Sequence, residues 1–219
     1  RLAAHMSGDK KMIEAFNNNV DIHTTTASLI NGVPLEEVSK KMRSEAKSVN
    51  FGILYGHGPH GLSRGADISY GQAKDFIDNY FKVYSGGKKY IDKIIDDERK
   101  NNYVETMFGR KRMLPEINST IPMVKKAAER MASNTPLQGT AADIIKIAMI
   151  QVHEKILKDD IKMLIQVHDE LIFEVKKGQE KKAIKAIKEI MENVVKLKVH
   201  MRVDAKMGQN WGEMKAIKN

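Results

Sequence analysis

Between Met42 and Gly58 the sequence reads MRSEAKSVNFGILYGHG, and Arg43, Lys47, Phe51 and Tyr55 recur at every fourth residue. A four-residue step turns an α-helix by about 400°, so these positions drift about 40° per step and form one slowly winding stripe roughly 18 Å long. Guanidinium, ammonium, phenyl ring and phenol follow in that order, which suits a ligand with a phosphate chain at one end and a sugar and base at the other. A nucleoside triphosphate has that shape. The spacing also fits a plain solvated face, with Phe51 and Tyr55 in a core and the cations paired to Glu36, Glu37 or Glu45. Spacing alone favours this second reading, because cation rows on helices are common.

A second group lies in QVHDELIFEV, where the apolar strands KMLIQV and LIFEV flank the polar tip His168, Asp169, Glu170. A tight hairpin can hold Asp169 rigidly at a sheet edge, a good place for a metal ligand. HDE is equally compatible with an ordinary polar turn. Neighbouring residues of an extended hairpin face opposite ways, so Asp169 is the metal-ligand candidate and Glu170 the weaker one.

The elements around these groups follow from periodicity. Helical patterns run through DKKMIEAFNN, DIHTTTASLING with Asp21 as N-cap, PLEEVSKKMRSEAKSVNFGILYG, ISYGQAKDFIDNYFKVY and GGKKYIDKIIDDERKNN. Asp9 follows SG and precedes KKMIEAFN, as a helix cap does. YVETMFGRKRMLP alternates around a FGRK turn and predicts a hairpin, with PEINSTIP as a loop. A long helix is expected from Met123 to Lys158, broken or kinked at Pro136. After the hairpin around Asp169 come a helix from Gln179 to about Leu197 and a last strand, HMRVDAKMG. The expected class is α+β: a mainly helical region, then a small antiparallel sheet of three strands packed on helices. Gly52 and Gly56 are expected to leave room beside the rings, and Gly56 and Gly58 to let the helix end.

The chain has 219 residues, 42% of them hydrophobic, enough for a sizeable core. Its formal charge of +9 points to a polyanionic partner such as nucleic acid or a membrane surface. No run approaches the 18 or more apolar residues of a membrane span, so a soluble, cytoplasmic protein without a membrane partner is expected. Without cysteine there is no disulfide, zinc–thiolate site or thiol nucleophile. No GxxxxGK[ST] loop supports a P-loop ATPase.

RSEAKSVNFGILYG resembles motif B of the family A DNA polymerases. RLAAHMSGD resembles the end of that family's motif A region, NTPLQGTAADIIK its helix before the second half of the palm, and QVHDELIFEV its motif C. The resemblance implies that Arg43 and Lys47 grip the triphosphate, with Lys47 as proton donor to the leaving pyrophosphate. It places Phe51 on the incoming sugar and base, Tyr55 near the templating position, and His23 of DIH on a phosphate. Arg130, Asn134 and Gln138, again four apart, would touch the duplex minor groove, whose acceptors occupy similar places in every correct pair. His168 is grouped with these DNA contacts.

The family uses two Mg²⁺ ions, held by Asp169 of motif C and by an aspartate in motif A. The motif A pattern DYSQIELR would place that aspartate, and a glutamate that excludes ribonucleotides, upstream of Arg1. The expected division is residues 1–8, end of motif A in the palm; 9–125, fingers; 126–219, the C-terminal half of the palm. The implied function, in replication and repair, is addition of deoxynucleotides to a primer 3′-hydroxyl. Its partners would be primer–template DNA, deoxynucleoside triphosphates and the remainder of the polymerase, thumb and motif A, in the same or another chain. Alone, the chain is expected to be inactive; a non-catalytic DNA-binding module or one half of a split polymerase are the alternatives. His60 stands where the family usually carries an aromatic, and Tyr84-Ser85-Gly86 replaces a common Tyr-Pro-Gly.

Overall fold

In the computed structural model, which describes residues 1–158 and 160–217, the chain is α+β and divides into two compact units, Arg1–Thr140 and Ala141–Asn219. The first begins with α1 (Leu2–Ser7), α2 (Lys10–Asn17), α3 (Ile22–Asn31) and α4 (Lys40–Leu54). It continues with α5 (Pro59–Ala66), α6 (Tyr70–Val83), α7 (Ser85–Asn101) and a hairpin, β1 (Tyr103–Glu105) with β2 (Lys111–Met113). Side-chain caps start several of these helices. Asp9 accepts from Met12 N at 3.0 Å and Asp21 from His23 N at 3.0 Å, while Ser69 and Gln72 cap α6 reciprocally. Each such cap satisfies amide donors that a helix leaves open, an effect worth about 1 kcal/mol.

Asp9 does more than cap. Its Oδ1 serves α2, and its Oδ2 accepts from Gly86 N at 2.7 Å, joining the starts of two helices distant in sequence. A Cβ on Gly86 would lie 2.8 Å from the Asp9 Cα, so only glycine permits this approach. Near the other end of α7, a core forms from Val104, Leu114, Ile117, Ala128 and Ala132, with Ile94 and Met131 packed against it.

Helix α8 (Pro122–Lys155) continues through Pro136, so of the two expected outcomes, a break or a kink, the break does not occur. Proline removes one amide donor, leaving the Ala132 carbonyl without its helical partner, but the flanking positions are held by burial of Ala132, Ser133 and Leu137. GHGPHGLSRG, given no element from sequence, forms most of α5, with Pro59 at its first turn.

In the second unit, β3 (Ile161–Val167) pairs antiparallel with β4 (Glu170–Val175), and α9 (Glu180–Asn193) follows. Ile161, Met163, Phe173 and Val175 pack on Val152, Ala183 and Ile187, so the period-two pattern buries one face as expected. A register shift between Met163 and Ile165 then interrupts it, leaving Leu164 and Ile165 exposed. The three-stranded sheet is not formed. Of HMRVDAKMG, only β5 (Lys206–Met207) is strand, and it pairs with β6 (Lys215–Ala216) instead of β3 or β4. Among the described residues, no helix is long and apolar enough to cross a membrane.

Candidate functional site

The stripe on α4 is real and faces solvent. Ala46, Val49, Asn50, Gly52 and Ile53 take the inner side of the helix, which turns Arg43, Lys47 and Phe51 outward. The Lys47 Nζ lies 5.8 Å from the Phe51 ring centroid, and Phe51 stacks on Tyr55 with centroids 5.9 Å apart and planes at 23°. Phe51 is 40% exposed, so it is not the core residue that the plainer reading requires. Glu45 pairs with Lys41, and Lys47 has no carboxylate partner among the described residues. An ammonium without a carboxylate partner among the described residues, beside the exposed Phe51 ring and the half-buried Tyr55 ring, is a ready anion-and-base surface.

Helix α3 adds its N-terminus to this face. Asp21 accepts from the backbone N–H groups of His23 and Thr24, from Thr24 Oγ1 at 2.9 Å, and from Arg43 Nε at 2.5 Å. Burial pushes the Asp21 carboxyl up, but the hydrogen bonds from Arg43 and Thr24 outweigh it and lower its pKa to about 2. His23 stands beside the Phe51 ring, centroids 5.9 Å apart. Its pKa is lowered, first by burial and then by Arg43 and Lys47, against the opposing charge of Asp21. The imidazole is therefore neutral near pH 7. Its Nδ1 lies 2.9 Å from Asn50 Nδ2, and Asn50 Oδ1 accepts from Thr26 Oγ1 at 3.0 Å. Sequence reasoning missed Asn50 and Thr26; the one available signal was a polar residue on the apolar side of α4.

Gly56 ends the helix as expected, and Gly52 acts differently. The space beside Gly52 is taken by His57 and Leu62, with His57 Nδ1 3.1 Å from a built Cβ, so it is not room for a base pair. Gly56, at φ 72°, turns the chain after α4, and its Cβ would meet Ser133 Oγ at 2.8 Å and Arg130 Cγ at 3.7 Å. This contact brings the Tyr55 end of the α4 stripe against α8 at Arg130. Arg130 and Gln138 are exposed on α8, and Asn134 between them is half-buried, with an Oδ1 that has no hydrogen-bond partner among the described residues. The hairpin β1–β2 braces the neighbouring face: Arg112 donates to Thr135 Oγ1 at 3.2 Å, and Met107 N to Thr140 Oγ1 at 3.0 Å. His60 packs on Tyr70, ring centroids 4.5 Å apart.

In the second unit, Val167 pairs with Glu170, so His168 and Asp169 form a two-residue turn. His168 takes the left-handed conformation at φ 53°, and its carbonyl accepts from Gln166 Nε2 at 2.8 Å. His168, Asp169 and Glu170 are all exposed. Asp169 and Glu170 offer the oxygen ligands that Mg²⁺ takes, but among the described residues no three metal-ligating side chains converge. The carboxylates here therefore fit part of a divalent-metal site.

Comparisons with known proteins show the family of the chain. The sequence model of the family described as DNA polymerase family A matches residues 1–213. The thermostable DNA polymerase I of Thermus aquaticus is 43% identical over 211 residues, 96% of this chain and 25% of that protein. The DNA polymerase I of Caldicellulosiruptor bescii is 46% identical over 218 residues, 98% of this chain and 26% of that protein. A solved structure described as the POL domain of Pol1 from M. smegmatis, in complex with DNA primer-template and dNTP, matches with a TM-score of 0.83 at 39% identity, covering 91% of this chain and 35% of that one. The chain spans about a quarter of the length of the curated relatives it matches.

Proposed function

The chain belongs to DNA polymerase family A, and from that footing we propose that it is the C-terminal fingers and palm portion of a template-directed DNA polymerase. In this reading residues 9–125 are fingers, and 1–8 and 126–219 are palm. The observation that carries it is the row of exposed Lys47 and Phe51 and half-buried Tyr55, with Arg43 and His23 gathered at its phosphate end.

A deoxynucleoside triphosphate would lie along α4. Arg43 and Lys47 would neutralise phosphate charge, His23 would donate to a phosphate oxygen, and Phe51 would pack on the sugar and base. Tyr55 would adjoin the templating position, and Arg130, Asn134 and Gln138 would test the minor groove of the primer–template duplex. His168 would touch the same DNA. With the reactants aligned, the primer 3′-hydroxyl would give its proton to water and attack the α-phosphorus, the bond from the α-phosphorus to the oxygen bridging to the β-phosphate would break, and Lys47 would give a proton to the departing pyrophosphate. Family A enzymes use divalent metal ions, in our reading two Mg²⁺, which when bound supply Lewis-acid stabilisation of the phosphates and the primer hydroxyl. Asp169 would be one ligand, with Glu170 as a further candidate. The second aspartate would come from motif A upstream of Arg1, in the same or another polypeptide. The enzyme would act on DNA in the cytoplasm.

The test is primer extension by the full-length polymerase on a DNA template with Mg²⁺. Asp169→Ala is expected to abolish extension while leaving DNA binding in place; unchanged extension would remove Asp169 from the site. One observation favours a second reading for the chain taken alone: no metal-ligating trio converges among its described residues. The 219 residues by themselves are then a DNA- and nucleotide-binding piece that extends no primer, and robust extension by the purified chain would overturn that.

A further inference from the structure

Asn50 is 3% exposed and Thr26 is 1% exposed, yet both side chains are polar. A carboxamide taken from water without partners costs a few kcal/mol, so both ends of a buried Asn are normally engaged. Here the Thr26 hydroxyl, on α3, donates to Asn50 Oδ1 at 3.0 Å, and Nδ2 turns to His23 Nδ1 at 2.9 Å. An amide NH₂ can only donate. The ring nitrogen facing it must therefore carry its lone pair, which leaves the imidazole proton on Nε2.

We propose that Asn50 is a positioning residue that locks neutral His23 in its Nε2–H tautomer, so that Nε2–H is the donor offered to a phosphate oxygen of a nucleoside triphosphate lying on α4. The phosphate half of this inference rests on the nucleotide reading above; the tautomer half does not. A neutral imidazole has two tautomers, and the other one would aim a lone pair at the phosphate. Arg43 and Lys47 disfavour the imidazolium, and Asp21 favours it. Burial against α4 decides the balance for the neutral ring. Neutrality alone leaves the tautomer open; with Oδ1 turned to the Thr26 hydroxyl and Nδ2 turned to the ring, the Asn50 amide selects Nε2–H.

The experiment uses the full 219-residue chain with ¹⁵N-labelled histidine, His23 being assigned from its loss in His23→Gln. Long-range ¹H–¹⁵N correlation without ligand is expected to show His23 protonated at Nε2 and bare at Nδ1. In Asn50→Asp the carboxylate, which only accepts, should draw the proton to Nδ1 and raise the pH at which His23 titrates. With dTTP as probe, the affinity ratio of wild type to Asn50→Asp should widen about tenfold between about pH 6 and about pH 8.5, as the variant's imidazolium gives way to the wrong neutral tautomer. A purely structural Asn50 would lower affinity equally at both pH values. If Asn50→Asp does not fold, Thr26→Val frees the amide to rotate and should give a mixture of both tautomers. An Nδ1–H signal in the wild type, or an unchanged tautomer in a folded variant, overturns the lock. Failure of dTTP to shift His23 in the wild type overturns the phosphate role and the nucleotide reading with it, while the ligand-free spectra still decide the tautomer.

Discussion

Arg43 Nε donates to Asp21 Oδ2 at 2.5 Å, so the guanidinium expected to grip a phosphate is held by the N-cap of a neighbouring helix. A triphosphate must compete with that carboxylate. The pair is about half exposed, and exposed ion pairs contribute roughly 0–1 kcal/mol, so the competition is weak. Asp21→Asn keeps a good capping side chain and removes the charge. It should tighten triphosphate binding by about two- to fivefold, read by calorimetric titration. Weaker binding would mean that Asp21 preorganises Arg43 instead of restraining it. Asp21→Ala should in addition cost about 1 kcal/mol through the lost cap, measured by urea unfolding.

The same carboxyl gives a pH dependence of definite sign. Its folded pKa is lowered to about 2 from 3.8. The folded state therefore releases its proton more readily, and the stabilisation is fully present above the unfolded value and lost as pH falls through about 2. In Asp21→Asn that acid-side loss should shrink.

Glu98 presents the opposite sign. It has 0% exposure, and neither carboxyl oxygen finds a hydrogen-bond partner among the described residues. Burial raises its pKa to about 7, with Glu116 adding to the rise and Arg112 opposing it. The folded state binds the proton more tightly, so stability should fall as pH rises from 4.5 through about 7. The penalty above that window is on the order of 3 kcal/mol. Glu98→Gln should flatten this slope; urea midpoints at pH 5 and pH 8 check it, and equal slopes in both proteins would show that Glu98 is solvated.

Gly56 carries a prediction about how the turn after α4 meets α8. Alanine there would suffer the left-handed backbone at φ 72° and a Cβ 2.8 Å from Ser133 Oγ. The backbone term alone is about 1–2 kcal/mol. Gly56→Ala should therefore destabilise by about 1–3 kcal/mol. Ser133→Ala, which removes the hydroxyl, should recover the steric part and leave the backbone part. A double-mutant cycle with no coupling would place the two residues out of contact.

These residues also show what the sequence could and could not reveal. The α4 stripe and the hairpin around Asp169 were legible, because periods of four and two are local properties of the chain. Asp9 and Asp21 were legible as caps, but their second partners, Gly86 and Arg43, were not, since those contacts span 77 and 22 residues. The Asn50–His23 bond, 27 residues apart, was hidden for the same reason. Sequence left open whether Pro136 breaks or bends its helix, because the packing of Ala132, Ser133 and Leu137 that keeps α8 continuous is not a local property of the chain. HMRVDAKMG misled because alternation identifies an extended segment but not its partner, and the partner here is Lys215–Ala216.

Lys47 separates charge from proton transfer. It stands 5.8 Å from the Phe51 ring and has no carboxylate partner among the described residues, so nothing in the structure diverts its ammonium from a bound phosphate. Lys47→Arg retains the positive charge and hydrogen-bond donors, but a guanidinium holds its protons too tightly to give one up. If Lys47 is the acid for pyrophosphate, Lys47→Arg in the full-length polymerase should bind triphosphate within a fewfold of wild type. Its single-turnover extension rate should nevertheless fall by about 10²–10⁴, the usual worth of a general acid. Arg43→Ala should show the reverse pattern, losing about 1.5–3 kcal/mol of triphosphate binding with a smaller change in rate. Rapid-quench extension across triphosphate concentrations resolves the two parameters. A full rate in Lys47→Arg would reduce Lys47 to an electrostatic clamp and send the search for the proton donor elsewhere along the phosphate end, to His23.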